Sequence, residues 1–347
     1  MVETLLDKSA LWLTGDGPDA EIVVNTYGVL ARNLADFPFP ARCSEDERRT
    51  IEERVLGALD SAPTLSGGQY LSMQRLERKE ARFLSERCLA APDLAASRGA
   101  RGVYVAEDQC ACVMINGGDH IVIQVMASGM QPSEVWLRLN AIDDALAAIL
   151  DYAFDKRLGY LTSSISQVGT GLMAAVIGHF PGLAMNNAAG GIESRMNRER
   201  HTFDGLFKAN GTTLGDLYVL SNQATLGRSE DETIFHLKHL AHKLVTDERA
   251  ARETTLQQLP RGIQDRVGRA LGIARGARLL EFGEALTLLS SIRLGVATGN
   301  AEGCSIQSVN ELLLASQNGH LEMKAGHACD DLTLSMERAD LFRARFS

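Results

Sequence analysis

Long apolar runs are missing from this sequence. Nowhere does it approach the roughly 20 consecutive apolar residues needed to span a bilayer, so no membrane insertion is expected. Runs of Lys and Arg are missing too. The 35 basic side chains are outnumbered by 44 acidic ones, for a net charge of −9. Without a concentrated basic patch, a generic phosphate-backbone binder is excluded, and nucleic acid is not an expected partner. Residues 1–13 lack the basic start and apolar centre of a secretory leader, and the six cysteines are scattered, which points to the reducing cytosol. Only Cys110 and Cys112 lie close together, in a segment that reads as a strand with both thiols on one face. A structural zinc site normally draws on a second close pair, so these two are read as core and no metal site is expected. Internal repeats and low-complexity segments are also absent.

What remains is the composition of a soluble globular protein, 45% hydrophobic and 23% charged, long enough at 347 residues for about two domains. Residues 5–13 read as a short helix and the β-branched stretch 21–27 as a strand. Ser44, with Glu47 three residues on, forms a capping box that opens a helix running to Leu59. Residues 73–88 favour helix; 102–106, 110–115 and 120–126 read as strands, the last after a tight Gly117-Gly118 turn. From Ser133 a helix carries Val135, Leu139, Ile142, Leu146 and Ile149 on one face. Residues 172–179 read as a helix, 217–220 as a strand and 230–254 as a long charged helix. Beyond residue 256 the strand signals vanish, and 263–271, 279–294, 305–315 and 332–346 all have helical periodicity. The expected organisation is an α+β domain over 1–255 followed by an all-helical domain over 256–347.

Six segments in order, EIVVNTYGVLARN (21–33), FPFP (37–40), VMINGGDHIVIQ (113–124), DYAFDKRLGYLTSS (151–164), VGTGL (168–172) and LSNQATLGRSEDE (220–232), resemble the phosphagen (guanidino) kinase family, in particular its bacterial protein-arginine kinases. The resemblance implies a mainly antiparallel sheet flanked by helices, then a helical C-terminal domain. It also implies transfer of the γ-phosphoryl group of ATP to a guanidinium. That chemistry rests on positioning and charge neutralisation: arginines and magnesium around the phosphates, and a carboxylate that orients the guanidinium and takes its proton. Arginine suits the cage because its fork meets phosphate oxygens in pairs and stays charged when desolvated.

The residues at those positions depart from the family's pattern. In S-S-R-x-R-L-A-R-N, Arg32 is retained while Tyr27 and Val29 replace the two phosphate-binding arginines. In N-E-E-D-H-x-R, Asp119 and His120 are retained, Gly118 replaces the catalytic glutamate and Val122 the arginine. In C-P-T-N-x-G-T-G-x-R, Gly169, Thr170 and Gly171 are retained, Ser164 replaces the cysteine and Met173 the arginine. Asp204 aligns with the last phosphate arginine, and Thr212 with a second substrate carboxylate. Arg195, Arg198 and Arg200 lie nearby as the available replacements. Of the bacterial branch's R-D-x-x-R-A phosphoarginine motif, only Arg338-Ala339 is matched. Arg338, Arg343 and Arg345 are read as a solvated face that suits the C-terminal end of a helix dipole.

The resemblance therefore implies a degenerate relative, a pseudokinase that needs neither ATP nor Mg2+ and serves as a binding or regulatory subunit in cytoplasmic protein quality control. A homodimer, and an arginine-kinase activator or a Clp-type system as partner, follow from the same resemblance. The alternative is an active ATP- and Mg-dependent kinase rebuilt around Asp119, His120, Asp204 and the 195–200 arginines. A third reading places another small ligand in the former ATP cleft, between Tyr27, Val29, Val122 and Met173.

Overall fold

A computed structural model describes residues 2–347. Its strands are β1 (Val23–Arg32), β2 (Gln69–Ser72), β3 (Gly102–Val105), β4 (Ala111–Ile115) and β5 (Ile121–Ser128), then a small hairpin of β6 (Phe154–Asp155) and β7 (Gly159–Tyr160). They continue with β8 (Leu172–His179), β9 (His201–Gly205), a second hairpin of β10 (Lys208–Ala209) and β11 (Thr212–Thr213), and β12 (Leu217–Asn222). Apart from the hairpins, they form one eight-stranded sheet in the order β2-β3-β4-β5-β1-β8-β12-β9. Every neighbouring pair is antiparallel.

The helices preceding the C-terminal region are α1 (Glu3–Leu6), α2 (Glu45–Leu59), α3 (Arg78–Glu86), α4 (Pro92–Ala96), α5 (Pro132–Ala147), α6 (Pro181–Met185), α7 (Ala189–Arg198) and α8 (Glu230–Gln258). One sheet face supplies Leu30, Ile123, Val125, Val176 and Leu220 to the main core, where they meet Ile51 and Val55 of α2, Leu139 and Ile142 of α5, and Leu237 and Leu244 of α8. Each such side chain contributes about 1.5–3 kcal/mol by leaving water. Gly28 lets α5 approach β1, since a Cβ there would lie 3.0 Å from Val135 and 3.1 Å from Leu139. The capping box of Ser44 and Glu47 is present at α2, and Ser229 with Glu232 forms another at α8. Cys110 and Cys112 are buried in the second core, as their alternation predicts.

Several sequence-based expectations need correction. Residues 172–179 form β8, a central strand between β1 and β12, rather than a helix. A strand covered on both faces reads as a continuous apolar run, and periodicity cannot separate that from a buried helix. Residues 5–13 divide into α1 and a 3₁₀ turn at Leu11–Leu13. The first strand continues past Tyr27 to Arg32. The stripe of α5 is buried through Leu146, but Ile149 lies beyond the helix end and is 55% exposed, its place in the core taken by Leu150.

The C-terminal region packs α9 (Pro260–Gly276), α10 (Phe282–Ala297), α11 (Ile306–Ala315), α12 (Asn318–Ala325) and α13 (Asp331–Phe346) around Val267, Leu289, Ile292, Val309 and Phe342. It docks on the sheet domain through polar contacts. Buried Arg293 donates 2.6 Å to the Ala20 carbonyl, Asn310 donates 3.1 Å to the Leu13 carbonyl, and Ser290 donates 2.8 Å to Asp216. Arg338 is not solvated. It is 2% exposed and donates to the carbonyls of Ser316 (2.7 Å) and Leu280 (2.8 Å) and to Asn318 Oδ1 (2.7 Å). Its guanidinium fastens α13 to the ends of neighbouring segments, a use of one residue's five donors that no helical periodicity announces.

Candidate functional site

Strand register decides where the five positions expected to face the phosphates lie. Val29 of β1 pairs with Gln124 of β5 and Met173 of β8, Tyr27 with Met126 and Ala175, and Ala31 with Val122. Asp204 of β9 pairs with Val219 of β12, which pairs with Ile177 of β8 and so stands in the row of Asn25. Residues paired across antiparallel strands point to the same face. Tyr27, Val29, Val122, Met173 and Asp204 therefore share the face opposite the main helical core. Its strand positions carry no Lys or Arg among the described residues.

Part of this face is covered. The segment after α3 crosses it, with Gln124 Nε2 donating to the Cys88 carbonyl and the Ala91 N–H 3.2 Å from Met114 Sδ. Tyr27 lies beneath, its phenol pushed up to about 12 by burial. A hollow of about 210 Å³ lies further along the sheet, where Asn25, Ile177, Leu217, Phe207 and Leu313 line it. Its walls are mainly apolar.

The positions expected to align with the family's carboxylates and cysteine lie elsewhere. Gly118 donates its N–H to Asp93 Oδ2 at 2.7 Å, and a Cβ at residue 118 would overlap that oxygen. Ser164 and Thr212 are exposed, Thr212 on the outer hairpin and Ser164 bonded to Ser166 at 2.8 Å. Asp204 is an exposed residue of the edge strand whose carboxyl is held below its ordinary range by a hydrogen bond from Lys208. Arg195 is committed to Asp247 of α8 at 3.2 Å. Its helix packs Ile192 and Met196 into the main core, behind the sheet. Arg198 is exposed on the same helix, and Arg200 is exposed in a left-handed turn before β9.

The retained residues form a different set, directed into the protein. Arg32 Nη2 lies 2.6 Å from Asp143 Oδ2, with Nε 3.1 Å from both carboxylate oxygens. Nη1 donates to the carbonyls of Ala31 (3.0 Å) and Thr170 (2.8 Å), and the guanidinium stacks 3.6 Å from the Tyr160 ring. Asn33 donates to Asp119 Oδ1 at 2.6 Å, and that oxygen also accepts the Ser163 N–H at 2.7 Å. Gly169, Thr170 and Gly171 make the turn that Arg32 holds; Thr170 also accepts the Leu172 N–H through its hydroxyl at 3.2 Å. Asp143 was missed from sequence, although a carboxylate four residues after Leu139, on a buried helical stripe, is a visible signal that a cation must meet it.

His120 completes this set. The Leu34 N–H donates to Nδ1 at 3.1 Å, so the ring proton sits on Nε2, 2.9 Å from the Pro38 carbonyl. Burial pulls the imidazole down from 6.5 to about 4. Between those values the unfolded chain binds a proton that the folded protein does not. The stabilisation is thus complete above pH 6.5 and lost as pH falls towards 4, an effect on the order of 3 kcal/mol. Burial shifts His179, His201 and His320 in the same direction. Urea midpoints should drop across this interval and drop less in His120→Gln; identical pH profiles would contradict the assignment.

The sequence matches known proteins over nearly its whole length. The family ATP:guanido phosphotransferase, C-terminal catalytic domain, matches residues 50–251. The protein-arginine kinase McsB C-terminal domain matches residues 260–347. The protein-arginine kinase of Symbiobacterium thermophilum is 36% identical over 339 residues, 97% of this chain and 96% of the relative. The chain belongs to the ATP:guanido phosphotransferase family, in its protein-arginine kinase branch. The Pelotomaculum thermopropionicum protein-arginine kinase is 34% identical over 99% of this chain and 98% of its own length. Lombricine kinase shares the fold, with a TM-score of 0.59 at 24% identity over 70% of this chain and 72% of its own. In this branch, the eight-stranded sheet and helical tail agree with what the six sequence segments implied. No helix among the described residues is long and apolar enough to cross a membrane.

Proposed function

We propose that this member of the protein-arginine kinase branch is a pseudokinase, retained as a binding or regulatory subunit of cytoplasmic protein quality control. One observation carries the reading. Family residues with a structural task here (Arg32, Asn33, Asp119, His120 and the 169–171 turn) are kept and buried, whereas the phosphate-side positions on the open sheet face have become Tyr27, Val29, Val122, Met173 and Asp204. Three ATP phosphates and Mg2+ would meet one carboxylate and no cation from these five positions. The partner in this reading is an arginine-kinase activator or a Clp-type unfoldase and protease.

Calorimetry with Mg-ATP is expected to show a Kd above about 1 mM, less than ~4.1 kcal/mol of binding. Micromolar binding would favour the rebuilt-site alternative instead. The proposal includes a homodimer through the helical domain, where Leu279, Leu332 and Met336 are at least half exposed. Sedimentation equilibrium at tens of micromolar, a concentration at which a Kd of about 1 μM keeps most chains paired, should give a dimer. A monomer there would remove that part of the reading.

A further inference from the structure

The hollow of about 210 Å³ beside Asn25 lies between the sheet and the C-terminal helices, walled by Ile177 of β8, Leu217 of β12, Phe207 and Leu313 of α11. No Lys, Arg or His lines it among the described residues. Its one carboxylate, Glu86, accepts the N–H groups of Gly319 (2.8 Å) and His320 (3.0 Å) and lies 2.9 Å from His320 Nδ1. An anion entering this space would lose its water and meet no counter-charge, while a cation would find the carboxylate already satisfied. The lining selects a neutral molecule. A cavity of about 150 Å³ with apolar walls holds benzene, so the size here suits one ring with a short substituent.

Asn25 adds a single polar point to these walls. It is 2% exposed, and its carboxamide makes no hydrogen bond within the protein. Oδ1 is buried with no partner, and Nδ2, equally unpartnered, is the polar end left at the wall of the hollow. Asn310, on the opposite wall, has both ends occupied: Oδ1 accepts from Arg293, and Nδ2 donates to the Leu13 carbonyl at 3.1 Å. Ser85 and Gln317 are only half-buried and stay open to water. An unpartnered amide inside an apolar wall is costly, and one acceptor placed in the hollow would satisfy its N–H.

We propose that this hollow binds a neutral single-ring arene carrying one hydrogen-bond acceptor, of the aryl ketone class. The ring packs on Ile177, Leu217, Phe207 and Leu313, and the acceptor takes the Asn25 Nδ2–H. A nucleoside fits poorly. Its purine edge carries several donors and acceptors, and all but one of them would face hydrocarbon.

NMR titration of the full chain with acetophenone should give one site with a Kd below about 1 mM, at least about fivefold tighter than toluene, which lacks the acceptor, or benzoate, which is charged. Asn25→Leu should bring acetophenone to the affinity of toluene while leaving toluene itself within about twofold, a pattern that general loss of structure does not produce. Leu313→Trp, filling the hollow from a half-buried position on α11, should abolish binding of both. If Asn25→Leu fails to fold, Leu313→Trp and the preference for acetophenone over toluene decide the matter. Equal affinity for toluene would overturn the role of Asn25, and equal affinity for benzoate the neutrality of the site. Adenosine binding as tightly as acetophenone would make the hollow a nucleoside site and overturn the ligand class. No binding of acetophenone at about 10 mM, or binding indifferent to Leu313→Trp, would overturn the site itself.

Discussion

Incubated with Mg-ATP and an arginine-rich protein, this chain should leave no phosphoarginine on itself or on the substrate, at a rate on the order of 10⁴ or more below that of a relative with an intact arginine cage. Loss of one preorganised electrostatic donor typically costs about 10²–10³ in rate, and losses within one site do not simply add. In the proposed reading, five phosphate positions and the glutamate position depart from the family's pattern. Mass spectrometry that spares the acid-labile N–P bond is the measurement. Gly118→Glu alone should recover nothing, because the cage is still missing and Asp93 occupies the space into which a side chain at 118 would grow. Time-dependent phosphorylation abolished by Asp119→Asn or Arg200→Ala would show that an active site had been rebuilt.

The largest expected change in stability lies at Arg32. Asp143→Ala leaves its guanidinium buried between Tyr160, α5 and the 169–171 turn with no anion, and should cost about 3–5 kcal/mol in urea unfolding. The double variant Arg32→Met/Asp143→Leu should recover most of that loss, because replacing both members of a buried pair by apolar groups removes the desolvation penalty along with the attraction. A cost below about 1 kcal/mol for Asp143→Ala would mean that water reaches the arginine, and would weaken the argument that this motif residue is kept for structure. The contrast with the cleft is direct. Arg32 is 1% exposed and makes five hydrogen bonds within its network, while Val29 and Met173, on the other face of the same sheet, are partly exposed side chains with no polar task.

Motif order identified the family because the six segments retain the residues that build turns and buried networks, and these are local in sequence. The same segments carry the proposal of lost charge, since Tyr27 and Met173 stand where the family pattern they resemble has arginine. Capping boxes at Ser44 and Ser229, and the α5 stripe from Val135 to Leu146, were legible for a related reason: a helix settles its hydrogen bonds and its buried face within a few residues. Other features depended on partners distant in the chain. Whether residues 172–179 were strand or helix was decided by β1 and β12 on either side. Arg338 was drawn inward by carbonyls at Leu280 and Ser316, and Arg195 was paired with Asp247, 52 residues on. Most of all, only the register of the sheet places Tyr27, Val29, Val122, Met173 and Asp204 on one face, and only its turns bring Arg32 to Asp143 across 111 residues. Strand pairing is non-local, and shifting it by one residue exchanges the two faces. The sequence by itself determined the family; the tertiary structure decided which of Tyr27, Val29, Val122, Met173 and Asp204 share a surface and which motif residues hold the fold.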